Sequence, residues 1–490
     1  MSRVLMVTSE ATPFVKTGGL ADVLGALPPA LVSIGEEVCV VIPRYGSTSL
    51  HGEDRIIHEM PLTVGPHTFT AAIDEVQREG VRYLFVDCPS LYGRSGVYNE
   101  RGVDYADNHI RFAALNQAAL EIARSIFTPD IFHAHDWPAG LLAPYLRETR
   151  AADSSLQSAK CVMTIHNLGY QGLFPRSHLG DIGLSPLFHP EGLEFWGQIN
   201  YLKAGIVWSD AVTTVSPTYA HEMQTLEYGF GLDGVLRARA SRITGILNGV
   251  DYAEWDPEHD PHVRHHYSAR NLSGKRFAKQ ALLKELGLPL SLKRPLIGMV
   301  SRFADQKGFD LVAEIADQLA AEDLALVILG TGEARIEDAL RRIAATHPER
   351  FAVHVGYDEV LAHRIEAGAD MFLMPSRYEP CGLNQIYSLR YGTVPIVRST
   401  GGLEDTVDDS TGFKFHDYSA EALLYAVRRA LTAWKDRKLW RERMRRGMAR
   451  DFSWTASAVE YQQLYDSIRL HSEPVLHFIP AGSDEAPSVA

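Results

Sequence analysis

The chain has 490 residues, 46% of them apolar, and a formal charge of −13. That length is too great for one ordinary domain and suits two large ones with substantial cores. The acidic balance argues against a nucleic-acid partner and against an anionic membrane surface. The four cysteines (Cys39, Cys88, Cys161 and Cys381) show no C-x-x-C pairing, which fits reduced thiols in a cytoplasmic protein better than a disulfide framework or a zinc site.

The opening "RVLMVTS" reads as a buried strand, since it is too short for a signal h-region. No apolar run approaches the length of a bilayer span. Short β-branched runs then alternate with longer helical patterns. Strands are predicted at residues 4–9, 38–43, 81–87, 130–135, 160–166 and 211–216, with helices at 106–125 and 201–209. Further strands are predicted at 295–301, 324–330, 351–357, 371–375 and 394–398, with helices at 311–320, 335–346 and 420–434. Continuous apolar strands separated by helices indicate parallel sheets covered on both faces.

The alternation is too long for one open sheet. The split falls at "ILNGVD", where Asn-Gly marks a turn and a polar, Pro-containing connector follows. This predicts an α/β protein of two doubly wound domains, 1–247 and 248–452. Residues 453–470 form a last helix, with Ser453 a candidate N-cap, that need not belong to the half it follows. Residues 471–490 read as a loose tail, with 475–479 able to pack locally.

Ligands of doubly wound folds bind outside the carboxyl ends of the strands. Charged, aromatic and glycine residues gather there in both halves. T-G-G-L-x-D occurs twice, once with Lys16 before Gly18 and Gly19, and once as Thr400, Gly401 and Gly402. Glycine pairs allow tight turns and close backbone approach, and the N–H groups at the following helix start can face an anion. Two such loops would hold opposite sides of one phosphorylated ligand; the alternative is two ordinary strand-to-helix turns. Arg302 and Lys307 flank another strand-end turn. A diphosphate needs charge and directional donors, which Arg and Lys supply, and Lys16 adds a third cation from the other half. Solvated surface charge is the competing explanation.

Glu379, in "YEPCG", suits a grip on sugar hydroxyls or on positive charge growing at a sugar carbon, or a helix N-terminus. Its neighbour Cys381 reads as packing rather than a nucleophile. His133, His135 and Asp136 invite a metal, but no Cys or Glu completes a set at usual spacing. Trp137 and Tyr92 fit either the core or sugar-stacking platforms for an acceptor.

In order along nearly the whole chain run "KTGGLADV", "HAHDW", "TIHNLGYQGLF", "GLEFWGQINYLKAGI", "TTVSPTYA", "LNGVD", "SRFADQKG", "MPSRYEPCGLNQ" and "TGGLEDTV". Together they resemble the bacterial glycogen synthase family, which is close to the plant starch synthases. The resemblance implies a GT-B fold: two Rossmann-like domains facing a deep cleft, with the last helix crossing back to the first. It implies transfer of glucose from ADP-glucose to the non-reducing 4-OH end of an α-1,4-glucan, with retention and with no cofactor or metal. It places Asp136, His166 and Glu379 at the transferred glucose, Lys16 at the donor, Asn248 in the cleft and Tyr357 beside the adenine. Arg302 and Lys307 would take the part a divalent ion plays in other glycosyltransferases. Many retaining relatives carry a second Glu eight positions after the first; here Tyr387 stands there, as in starch-synthase-like members. A UDP-glucose or small-acceptor transferase and a catalytically silent glucan-binding protein are the rival readings. A nicotinamide enzyme is disfavoured, since the one G-x-G-x-x-G, Gly229 to Gly234, does not directly follow a predicted strand. Oligomeric state and allosteric control stay open.

Overall fold

A computed structural model describes residues 1–150 and 153–470. The tail read at 471–490, with its packing at 475–479, lies outside the described residues.

Two large sheets organise the chain. The first contains β1 (Arg3–Val7), β2 (Glu37–Pro43), β3 (Asp54–Val64), β4 (His67–Arg78), β5 (Val81–Asp87), β6 (Ile131–His135), β7 (Lys160–Ile165), β8 (Ala211–Thr214) and β9 (Ile243–Gly245). Their spatial order is β9-β8-β7-β6-β1-β2-β5-β4-β3. The second contains β10 (Leu296–Val300), β11 (Ala325–Gly330), β12 (Phe351–Val355), β13 (Met371–Met374), β14 (Val394–Arg398) and β15 (Phe413–Phe415). It runs β12-β11-β10-β13-β14-β15, every neighbouring pair parallel. The apolar strands are buried on both faces, as Val-, Ile- and Leu-rich parallel strands must be.

Each sheet reverses its winding direction once. β1 lies between β2 and β6, and β10 lies between β11 and β13. A crevice opens beyond the carboxyl end of the strand at such a reversal. The first T-G-G-L turn follows β1, and Arg302 and Lys307 follow β10. Topology therefore puts the chemistry at both switch points.

The first sheet departs from the sequence expectation at one edge. β3 and β4 form an antiparallel hairpin that pairs with β5, also antiparallel. Polar residues alternate through β3, only one face of its second half is buried, and Pro61 interrupts it. This strand therefore carries no continuous apolar run. Residues 311–320 do not form one helix; Ile315 separates Phe309–Glu314 from Ala316–Ala321. Helices at Ser273–Glu285, Glu359–Gly368 and Arg437–Met448 were not foreseen.

The last helix, Trp454–Leu470, packs on the first sheet rather than the second. Trp454, Ala458, Tyr461 and Tyr465 share a core with Val4, Met6, Leu24 and Leu27. Ser453 caps it, its hydroxyl accepting from the Ala456 N–H at 3.4 Å. The two connections between the halves lie side by side: Val250 N–H donates to the Phe452 carbonyl at 2.8 Å.

Candidate active site

Two adjoining cavities, of about 810 and about 1190 Å³, lie between the sheets. Both are lined by Val300, Ser301, Arg302, Leu383 and Asn384, so Arg302 stands at their junction. The smaller is walled by Lys16 and Tyr357; the larger by Gly18, Gly19, Asp136, Trp137, His166, Asn248, Lys307 and Glu379. Residues from both sheets thus meet across one cleft.

The second sheet supplies a fixed cation and carboxylate. Lys307 Nζ lies 2.6 Å from Glu379 Oε2, which also accepts from the Ser376 hydroxyl at 3.0 Å. Glu379 is 5% exposed, and a carboxylate buried that far is costly unless it is paired and hydrogen-bonded in this way. Among the described residues no carboxylate pairs with the exposed Arg302. Lys16 Nζ bonds Asp22 at 2.6 Å. Burial alone would lower its pKa, but the bond to Asp22 and nearby anionic groups hold it above the ordinary lysine value. Tyr357 is 79% exposed, its ring open to the smaller cavity.

The first sheet supplies a strained turn. Asp136 follows β6 at φ 55°, ψ −175°, a conformation costing about 1–3 kcal/mol outside glycine. Its Oδ1 accepts the His166 N–H at 2.7 Å. The open part of the side chain faces the larger cavity. Burial raises its carboxyl to about 7, against the lowering effect of hydrogen bonds from the His166 and Asn167 amides. His166 Nε2 lies 3.1 Å from His135 Nδ1, and burial pushes His166 down to about 3. The imidazole at the cavity wall is therefore neutral at physiological pH. Both nitrogens of His133 are engaged, by the Tyr465 and Thr164 hydroxyls at 2.8 and 2.6 Å.

Asn248 is 7% exposed, lines the larger cavity and has a side-chain carbonyl without a partner. Trp137 packs against Phe112, Phe174, Tyr98 and Tyr201 and also reaches the cavity wall. It is a core aromatic with one edge on the cavity. Tyr92 is not at the cleft: it is fully buried, and its hydroxyl donates to the Arg111 carbonyl at 2.7 Å. Cys381 is buried, and burial pushes its thiol up to about 12, so it is packing.

The two T-G-G-L turns differ. A Cβ at Gly18 or Gly19 would meet nothing within 4 Å; packing does not demand glycine there, and the open space is the cavity. Gly401 has φ 46°, and its Cβ would sit 1.9 Å from the Glu379 carbonyl; that of Gly402 would sit 2.1 Å from the Cys381 carbonyl. Thr400, Gly401 and Gly402 stand behind Glu379 rather than on either cavity wall, a correction to their expected place at the diphosphate. Nor are all of the turn amides open. Thr17 and Gly18 N–H groups donate to Glu10 at 2.5 and 3.1 Å, and Gly401 N–H donates to Glu222 at 3.1 Å. Each turn holds a carboxylate of its own chain. Sequence reasoning missed both; Glu10 stood in view at the end of β1, while Glu222 sits in a helix with no local signal.

Residues 3–238 match the family model described as starch synthase catalytic domain, and residues 287–447 match glycosyl transferases group 1. The chain is 49% identical over 481 residues to a glycogen synthase of Koribacter versatilis, spanning 96% of this chain and 99% of the relative. It is 51% identical over 475 residues to a glycogen synthase of Anaeromyxobacter sp. strain Fw109-5, spanning 95% and 99%. Among solved structures, the catalytic domain of starch synthase IV from Arabidopsis thaliana, bound to ADP and acarbose, superimposes with a TM-score of 0.87 at 33% identity, covering 96% of this chain and 99% of that one. A sucrose-phosphate synthase from Thermosynechococcus elongatus shares the fold at a TM-score of 0.61 and 16% identity, over 95% and 98%. Two Rossmann-like sheets facing a cleft, closed by a returning helix, are the GT-B architecture, and with these similarities the chain belongs to the glycogen synthase and starch synthase family of glycosyltransferases.

Proposed function

We propose that the chain transfers glucose from ADP-glucose to the 4-hydroxyl at the non-reducing end of an α-1,4-glucan, with retention of configuration. The observation that carries this is the meeting of Lys16, Arg302 and Lys307 around two joined cavities, with Glu379 held beyond the junction. The starch synthase IV neighbour, with its ADP and acarbose, supports the same class of donor and acceptor.

The smaller cavity takes the nucleoside, with the adenine against Tyr357. The diphosphate lies at Arg302, where Lys16 and Lys307 approach from opposite sheets. The larger cavity takes the glucosyl group and the glucan end. Three cations lower the cost of charge on the leaving diphosphate, so the reaction needs no divalent ion. The anomeric carbon–oxygen bond breaks with its electron pair going to the diphosphate. Glu379 opposes the positive charge that grows on the sugar. The acceptor oxygen bonds the anomeric carbon on the face the phosphate leaves, and its proton passes to that phosphate. Neutral His166, Asp136 and Asn248 hold the sugar hydroxyls. Trp137 offers a ring face to the acceptor. No enzyme nucleophile is assigned.

Initial rates with glycogen, ADP-glucose or UDP-glucose, in EDTA and far below the melting temperature, test this reading. Higher kcat/KM with ADP-glucose and undiminished turnover in EDTA are expected. Preference for UDP-glucose, binding without turnover, or dependence on added Mg2+ contradicts it.

A further inference from the structure

Away from the Lys307–Glu379 pair, a second constellation of side chains gathers where His178 reaches the wall of the larger cavity, and the bond-breaking step does not use it. His109 Nε2 and His178 Nδ1 both lie against Asp181 Oδ2, at 3.1 and 3.2 Å. These three ligand atoms lie within 4.8 Å of one another. His67 Nε2 approaches the other oxygen, Asp181 Oδ1, at 3.2 Å. Separate elements bring them together: His67 opens β4, His109 starts the helix Asn108–Ser125, and His178 and Asp181 lie on successive 3-10 turns.

We propose that His109, His178 and Asp181 bind one zinc-class divalent cation, with His67 orienting the carboxylate from outside. Two imidazoles and a carboxylate are a borderline-soft donor set suited to zinc, with a fourth position left for water. Zinc bonds of about 2.0–2.2 Å in tetrahedral geometry set ligand atoms about 3.3 Å apart, close to the two separations between the imidazole nitrogens and Asp181 Oδ2. A carboxylate whose free oxygen accepts from a further imidazole is the usual outer support of such a site.

The support is built into the backbone. Gly65, in the β3–β4 turn at φ 52°, lies so close to the 180–181 turn that a Cβ would come within 2.6 Å of the Asp181 carbonyl. His109 is 3% exposed.

The His109 and His178 rings lie with centroids 3.8 Å apart, tilted by 32°. An ion between their nitrogens splays them. His178, whose side chain is 33% exposed, is the ring with room to swing. Phe174 packs on His109 and on Trp137, so the ion would brace the wall that carries Trp137. It takes no part in breaking the glycosyl bond. The proposal stands independently of the donor assignment.

The test is a Zn2+ titration of the full chain after chelator treatment, by calorimetry and by melting temperature. Expected are one strongly bound Zn2+ per chain and a melting point that rises with zinc. His178→Gln, at a partly exposed position, and Asp181→Asn should each weaken the site more than 100-fold and remove the shift. His67→Gln should weaken it about 10–100-fold. Absence of stoichiometric binding in the wild type, or equal affinity in His178→Gln, overturns the proposal.

Discussion

Asp136 is the residue at which stability and function oppose each other. It sits at positive φ, and its carboxyl is raised by burial to about 7. A folded-state pKa above the unfolded value means a contribution that is full below about pH 4 and lost as the pH rises through about 7. Allowing for water in the cavity, the loss is roughly 2–4 kcal/mol. Asp136→Asn keeps an acceptor for the His166 N–H and removes the charge. It should raise the melting temperature at pH 8 but hardly at pH 4, while turnover collapses; an equal shift at both pH values would show that burial of the charge is not the cause. Lys307 is the complementary case. Lys307→Ala removes the cation from both Glu379 and the diphosphate, and kcat should fall at least about 100-fold. Glu379→Gln should lower kcat far more than it alters the KM for the donor. Steady-state rates on purified folded variants decide both, and wild-type kcat in either removes that residue from the reaction.

Among the elements, the two glycine turns test how far repetition in sequence implies repetition of role. Both follow a strand and start a helix, as the sequence suggested. Only the turn after β1 faces a cavity; the one after β14 is wedged behind Glu379. Gly401→Ala should therefore destabilise the fold by roughly 1–3 kcal/mol through overpacking. Gly18→Ala should leave stability within about 0.5 kcal/mol and raise the KM for the donor. Denaturation midpoints together with donor KM values separate the two, and similar destabilisation by both would refute the distinction. The same contrast shows what the sequence could and could not tell. Buried parallel strands such as β2 and β11 announce themselves as continuous apolar runs. The β3–β4 hairpin, half polar, does not. Strand ends pointed to Arg302, Lys307 and Glu379, and the structure brings them to one cleft. Tyr92 and Trp137 read alike in sequence, because only packing tells a core aromatic from one at a wall. Glu10 and Glu222 escaped because a lone carboxylate has no signature until the amides it accepts from are in place.

On the scale of the whole molecule, the halves are joined on one side of the cleft. The two connections pair at Val250 and Phe452. Nearby, Ser216 Oγ donates to the Pro380 carbonyl at 2.6 Å, and the Thr218 N–H and hydroxyl donate to Asp405 at 2.8 and 2.7 Å. These contacts form a natural pivot, while Lys16 and Arg302 approach the cavities from opposite halves. Bringing those like charges onto one diphosphate favours a closed form, since the ligand binds that form better than the open one. Small-angle scattering should show a smaller radius of gyration at saturating ADP than without it, and identical profiles would count against closure. The closing helix does not join this motion separately: Tyr465 is bonded to His133 inside the first half.

The most direct test of the account is a crystal structure of the chain with ADP. It predicts the diphosphate at the junction of the two cavities, its oxygens within hydrogen-bonding distance of Lys16, Arg302 and Lys307, and the adenine against Tyr357. A nucleotide bound outside the cleft, or a diphosphate held by a divalent ion with those three side chains turned away, would contradict it.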